Sequence, residues 1–136
     1  MPDLAATAAA EPALTRFVAA LAACALNDLL SAPGPFTIFA PHDAAFAQLP
    51  TGAMQELYAD LPELAATLRY HIAPGIALAV DLIDLGTAPT LNGQVLTFGN
   101  ADGIRVNAAH ILQADIEADN GVIHIIDAVL RPHRAE

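Results

Sequence analysis

The residues best suited to chemistry fall into a few short groups. His124-Ile125-Ile126-Asp127 sets an imidazole and a carboxylate close in sequence, a pairing that could bind a metal or relay a proton. On an extended strand side chains alternate, so His124 shares a face with Val122, Ile126 and Ala128. Asp127 then shares the opposite face with Ile123, Ile125 and Val129. The two groups lie ~10 Å apart along the strand and point to opposite sides, so they cannot share a metal or a proton. Both faces are mostly apolar, the pattern of a central strand covered on each side. A structural reading follows. His124 is expected to be a hydrogen-bonded interior histidine, and Asp127 a carboxylate tied to backbone donors or to an Arg.

Tyr70-His71 also alternates if it lies on a strand, with one ring filling the core and the other reaching the surface. A catalytic histidine needs an orienting carboxylate and a nucleophile beside it, and neither stands here in a recognisable motif. The sequence contains no G-x-S-x-G, no H-E-x-x-H and no phosphate loop. Nothing in the spacing of the 5 histidines favours a metal site, and no cofactor is expected. Asp115-Ile116, followed by Glu117-Ala118-Asp119, puts a carboxylate beside an apolar side chain at the end of a strand. Such a rim suits recognition, although an ordinary acidic loop is the plainer reading of an acidic chain. Cys24 is the single cysteine, which excludes an internal disulfide. It lies one position off an apolar stripe and reads as a small buried hydrophobe rather than a reactive thiol.

The elements that would position these groups divide into a helical half and a strand half. Leu14, Phe17, Val18, Leu21, Ala25 and Leu29 recur at helical spacing, which predicts one amphipathic helix from Pro12 to Leu30. Ser31-Ala32-Pro33-Gly34-Pro35 stops it. Phe36 to Ala40 reads as a buried strand ended by Pro41, with Asp43 capping the turn Ala44 to Gln48. Thr51 caps a helix carrying Met54, Leu57 and Tyr58, and Asp60-Leu61-Pro62-Glu63 has capping-box spacing for the next. Arg69 to Ala73 reads as strand, Pro74-Gly75 as a turn, and Asp81 to Leu85 as a short helical turn. Asn92-Gly93, Asp102-Gly103 and Asn120-Gly121 are hairpin dipeptides separating Val95 to Phe98, Ile104 to Asn107, Ile111 to Ile116 and Val122 to Leu130. Helices first and mainly antiparallel strands after indicates α+β.

Composition narrows the function. With 136 residues the chain fits a single domain, 1–136 with its core at about 4–132. It is 55% hydrophobic and 15% charged, which argues against disorder. Its 5 basic residues, all Arg, face 15 acidic ones, for a net charge of -10. No cationic stripe for nucleic acid can be drawn, and anionic lipid is disfavoured for the same reason. The start, Met1-Pro2-Asp3-Leu4, lacks the basic, apolar form of a signal peptide, and no stretch is long enough to span a bilayer.

Several blocks taken together resemble fasciclin I-type domains. Phe36-Thr37-Ile38-Phe39-Ala40-Pro41-His42-Asp43-Ala44-Ala45-Phe46 is similar to that family's first signature block. Tyr70-His71 resembles its tyrosine-histidine pair, and Leu91-Asn92-Gly93-Gln94 its L-N-G hairpin. Asn120 to Pro132 is similar to its second block. The likeness runs from about Leu4 to Pro132, and His42 departs from it by standing where the family usually has Thr or Ser. The resemblance implies a wedge of two angled, largely antiparallel sheets with helices along one edge. It also implies a non-catalytic, monomeric adhesion module that is secreted, periplasmic or at the cell surface. Such a module would bind a cell-surface or matrix protein through weak, multivalent contacts.

In that frame Thr37, Phe39, Pro41, Asp43, Phe46, Asn120, Gly121, His124 and Asp127 are expected to hold the architecture. Asp115, Ile116, Tyr70 and His71 correspond to positions implicated in partner binding in animal members. The competing reading is a small ligand- or metal-binding protein, or an enzyme, using His71 and His124.

Overall fold

A computed structural model describes residues 3–49, 52–99, 103–107 and 109–130, apart from the side chains of 27, 53, 54 and 57. The Thr51 cap, Asp102, the packing of Met54 and Leu57, and Arg131-Pro132 lie outside the described residues.

Seven helices are α1 (Leu4–Ala9), α2 (Thr15–Ala23), α3 (Asn27–Leu30), α4 (Asp43–Ala47), α5 (Ala53–Ala59), α6 (Leu61–Arg69) and α7 (Ala79–Leu85) among the described residues. The strands are β1 (Phe36–Pro41), β2 (Ile72–Pro74), β3 (Thr87–Pro89), β4 (Val95–Gly99), β5 (Arg105–Val106), β6 (Ala109–Ala118) and β7 (Gly121–Ile126). Hydrogen-bonded neighbours run β2-β1-β7-β6-β5-β4-β3. Every pairing is antiparallel except that of β1 with β7, so the class is α+β, as the sequence pattern indicates.

The long strand β6 joins the two halves of this array. Its first residues pair with β5 and the rest with β7. Two single-residue slips, between Ile111 and Gln113 and between Gln113 and Ile116, bend it in between.

Alternation along β1 and β7 sorts side chains into two cores. Ile38, Ala40, Ile123 and Ile125 face the helices, packing with Leu4, Phe17, Leu21, Leu64 and Leu68. Phe39 and Ile126 face the other way, toward Tyr70, Leu82, Leu96, Phe98 and Val106. Each large side chain removed from water contributes roughly 1.5–3 kcal/mol, so both faces of the central pair stabilise it. Gly121 is required for these strands to meet. A Cβ there would fall 2.0 Å from the Phe36 carbonyl oxygen.

Local details correct several expectations. The helix expected from Pro12 to Leu30 is divided into a 3-10 turn (Pro12–Leu14), α2 and α3. Cys24 caps α2, and Ala25 takes a left-handed φ of 57°. The Leu26 N–H then bonds the Leu21 carbonyl and the Ala25 N–H the Ala22 carbonyl, a Schellman ending built without glycine. The strand expected from Arg69 begins only at Ile72, because α6 runs on through Arg69. Helix α1 and strand β3 were not foreseen. Strand β7 ends at Ile126 rather than Leu130.

Buried histidine anchors and an exposed acidic rim

Tyr70 caps the end of α6 and His71 occupies the turn before β2, so the two do not alternate as they would on a strand. Neither ring reaches solvent, which corrects the expectation that one would. The Tyr70 hydroxyl donates to the Val95 carbonyl at 3.2 Å and accepts from Asn107 Nδ2 at 3.0 Å. His71 Nδ1 lies 2.7 Å from the Thr67 carbonyl, and its Nε2 accepts the Leu130 N–H at 2.9 Å. That pair of partners selects the neutral tautomer protonated on Nδ1. Burial pushes the His71 pKa down to about 4, against the opposing pull of the Thr67 carbonyl.

His124 uses the same device with its nitrogens exchanged. Nδ1 accepts the Asp115 N–H at 3.1 Å, and Nε2 lies 2.8 Å from the Ala77 carbonyl. The ring stacks on Phe39 at a centroid distance of 5.5 Å. Desolvation holds its pKa below the ordinary histidine value, although the Ala77 carbonyl and the Asp115 carboxylate pull the other way. Each buried histidine therefore joins a backbone donor to a backbone acceptor, and neither has a nitrogen left to move a proton. His71 stands beside Phe17 of the helix-facing core, and His124 beside Phe39 of the other. Among the described residues, no group of three His, Cys, Asp or Glu side chains could hold a metal ion.

Asp127 receives the His110 backbone N–H at 2.7 Å, and its other oxygen lies 3.6 Å from His110 Nδ1. His110 Nε2 in turn accepts from Arg105 Nε at 3.2 Å. The backbone donor was foreseen. The imidazole was not, because an unslipped hairpin would set Leu112, not His110, across from Asp127.

The remaining motif residues tie distant segments together. Thr37 Oγ1 donates to the Gly75 carbonyl and accepts from the Ala77 N–H, both at 2.8 Å. Asn120 Oδ1 accepts the Leu4 N–H at 2.8 Å, while its Nδ2 donates to the Leu30 and Ala32 carbonyls at 2.7 Å each. Phe39 and Phe46 are buried, and Pro41 closes β1.

Asp43 does not cap α4. His42 does, its Nδ1 accepting the Ala45 N–H at 3.0 Å, so an imidazole replaces the family's usual hydroxyl. The Asp43 carboxylate instead accepts from the Thr15 hydroxyl and the Arg16 N–H at the start of α2. Partial burial pushes its pKa up, but those donors, with the Arg16 charge, outweigh it and hold the group below the ordinary carboxylate value.

Asp115 stands at the second slip of β6 with φ 61°, its side chain 44% exposed. That backbone geometry aims its N–H at His124, while Oδ1 accepts the Ala79 N–H of α7 at 2.8 Å. Ile116 beside it is half-buried against the helix-facing core. The structure thus separates the expected partner-binding residues. Asp115 and Ile116 lie at the surface, and Tyr70 and His71 do not.

One feature escaped the sequence reading. Only Leu82 of α7 is buried, while Val80, Ile83 and Leu85 are exposed. The signal was present in Val80 to Leu85, whose apolar residues exceed what one buried face of a short helix can hold.

A family model for the Fasciclin domain matches residues 12–132. An uncharacterized Synechocystis protein, sll1735, is 40% identical over 130 residues, spanning 96% of this chain and 98% of its own length. Human periostin is 34% identical over 129 residues, which covers 93% of this chain and 15% of periostin. A solved FAS1 domain pair from the insect cell adhesion molecule fasciclin I superposes with a TM-score of 0.78 at 19% identity. That match covers 96% of this chain and 51% of the other, and it shows the fold. The blocks read from the sequence, the matched span and the near full-length relative agree: this chain belongs to the fasciclin-domain family.

Proposed function

We propose that residues 4–132 form one non-catalytic adhesion domain, acting outside the cytoplasm through weak contacts that become firm when many copies act together. The observation that carries this reading is the placement of the two buried histidines, whose ring nitrogens are all engaged by backbone partners. Chemistry is thereby absorbed into the scaffold, and recognition is left to the surface. The fold shared with an insect cell adhesion molecule supports the same reading. Among the described residues no helix is long and apolar enough to cross a membrane.

Asp115 and Ile116 form the contact rim, joining an exposed carboxylate to an apolar side chain on rigid backbone. Tyr70 and His71 act on it indirectly, by holding the core against which β2 and β4 pack. The partner is a cell-surface or matrix protein, and the domain meets it as a monomer.

Cell attachment to surfaces coated with the domain tests this reading. Asp115→Asn keeps the bond to Ala79 and tolerates the left-handed backbone while removing the charge. With Ile116→Ala it should lower attachment while the fold is retained. Beads carrying many copies should attach far more firmly than the soluble domain competes. Attachment equal to that of bare surfaces, with the domain folded, would reject the proposal.

A further inference from the structure

Helix α7 and the turn before it expose four large apolar side chains, unusual for so short a surface segment. Val80 is 70% exposed, Ile76 56%, Leu85 53% and Ile83 43%. Ile76 and Leu85 stand at the mouth of a groove of about 190 Å³. Phe39, Ala73, Leu82 and Phe98 are buried residues in its lining, and no charged side chain contributes to that lining. The groove lies between β2 and β3, the two outermost strands of the array, whose exposed prolines Pro74 and Pro89 offer no N–H to an added strand. Entry is therefore by a side chain rather than by backbone pairing. A cavity of roughly 150 Å³ holds a benzene molecule, so this groove is of the size for one large apolar side chain.

Charge identifies the occupant. From Ile72 through Ile104 the chain has no Lys, Arg or His. Asp81 and Asp84 are exposed between the apolar residues of α7, and Asp115 is bonded to its first residue. A second copy would bring another chain of net charge -10 against these carboxylates. We propose that the α7 face docks a partner-protein segment that inserts one large apolar side chain into the groove and carries Lys or Arg on either side. This deepens the adhesive reading, on which it rests, by extending the Asp115 rim across α7 and naming the chemistry of what it grips.

The probe is a fluorescein-labelled Lys-Arg-Phe-Leu-Lys-Arg peptide, titrated against the whole domain by anisotropy. Binding should weaken with added salt and fall about tenfold or more when Ser-Ser replaces Phe-Leu. It should be abolished when the basic residues are replaced by Glu and Asp. Ile83→Ser with Leu85→Ser, both at exposed positions, should cost a similar factor, and Asp84→Asn should flatten the salt dependence. No saturable binding, equal binding of the acidic peptide, or unchanged affinity in the Ile83 and Leu85 variant with native circular dichroism would each overturn the proposal. Attachment measured on the same variants separates the two readings. Loss confined to Asp115→Asn and Ile116→Ala, with no peptide effect at α7, sinks this inference and leaves adhesion standing. Peptide docking as expected, with no attachment by any form, sinks the adhesive reading alone.

Discussion

Acid should weaken this fold chiefly between pH 6.5 and 4, and His71 supplies much of the loss. In the native state its Nε2 accepts the Leu130 N–H, so a second proton would set two donors against each other in a fully buried site. Its pKa is accordingly lowered from 6.5 to about 4, whereas in the unfolded chain it titrates at the ordinary value. Between those limits the unfolded state holds a proton that the native state lacks, so stability rises with pH through the window and is fully present above 6.5. At ~1.36 kcal/mol per pH unit the gap corresponds to about 3 kcal/mol. His124 is shifted in the same direction and adds to the slope. Asp43, held low, contributes stability that is lost only as pH falls below the ordinary carboxylate value, a separate window. Urea unfolding at a series of pH values from 7.5 to 4 should show this slope. His71→Gln should remove part of it, leaving the share due to His124. Should that variant not fold, nitrogen NMR of the wild-type ring decides, since His71 should stay neutral and protonated on Nδ1 well below pH 6. Stability that is flat from pH 7.5 to 4.5, or a His71 ring that titrates near 6.5 in the folded protein, would refute the linkage.

Other perturbations test the close approaches and caps. Gly121→Ala puts a methyl into the Phe36 carbonyl and should cost more than ~4 kcal/mol, read as failure to fold or loss of the thermal transition. Gly93→Ala, with open space around it and only a positive φ to strain, should cost ~1 kcal/mol. Asn120→Ala strands the Leu4 N–H and the Leu30 and Ala32 carbonyls, which at roughly 1–3 kcal/mol for each buried group should cost about 3 kcal/mol or more in urea unfolding. Ala25→Gly should stabilise by up to ~1 kcal/mol, since it relieves a left-handed alanine at the end of α2.

Reading from sequence reached the strands and the anchors better than it reached the helices. Alternation in Val122 to Ile126 is a local property, and β7 shows it with both faces buried. The helix break at Ala25 was invisible because the residue in the left-handed position is alanine, which otherwise favours helix. His110 could not be paired with Asp127 because two slips in β6 shift the register, and slips depend on tertiary fit rather than on composition. Tyr70 and His71 read as strand residues, with one ring in water, because no Gly or Pro marks the end of α6, which runs to Arg69. Asp43 reads as the cap of the helix that follows it, whereas its carboxylate accepts from Thr15 and Arg16 at the start of α2. The His110 and Asp43 failures concern partners distant in sequence.

That pattern bears on why the motif residues are polar at all. Asn120 bonds across 116 and 90 residues, His71 across 59, His124 across 47 and Thr37 across 40. Their partners are backbone groups in turns and at the ends of elements, where no ladder or helix satisfies them. An apolar core specifies volume, but it does not select one register among several of similar packing. A buried imidazole with one donor and one acceptor does select, because only one alignment satisfies both nitrogens. The parallel β1–β7 pair needs such selection most, since no hairpin turn joins its strands, and β6 needs it beyond its two-residue turn into β7, where two slips reset the register. The residues that look most reactive are thus committed to choosing the fold. Binding then falls to positions whose substitution leaves those bonds intact, and Ile83 and Leu85 on α7 fit that requirement better than any histidine in the core.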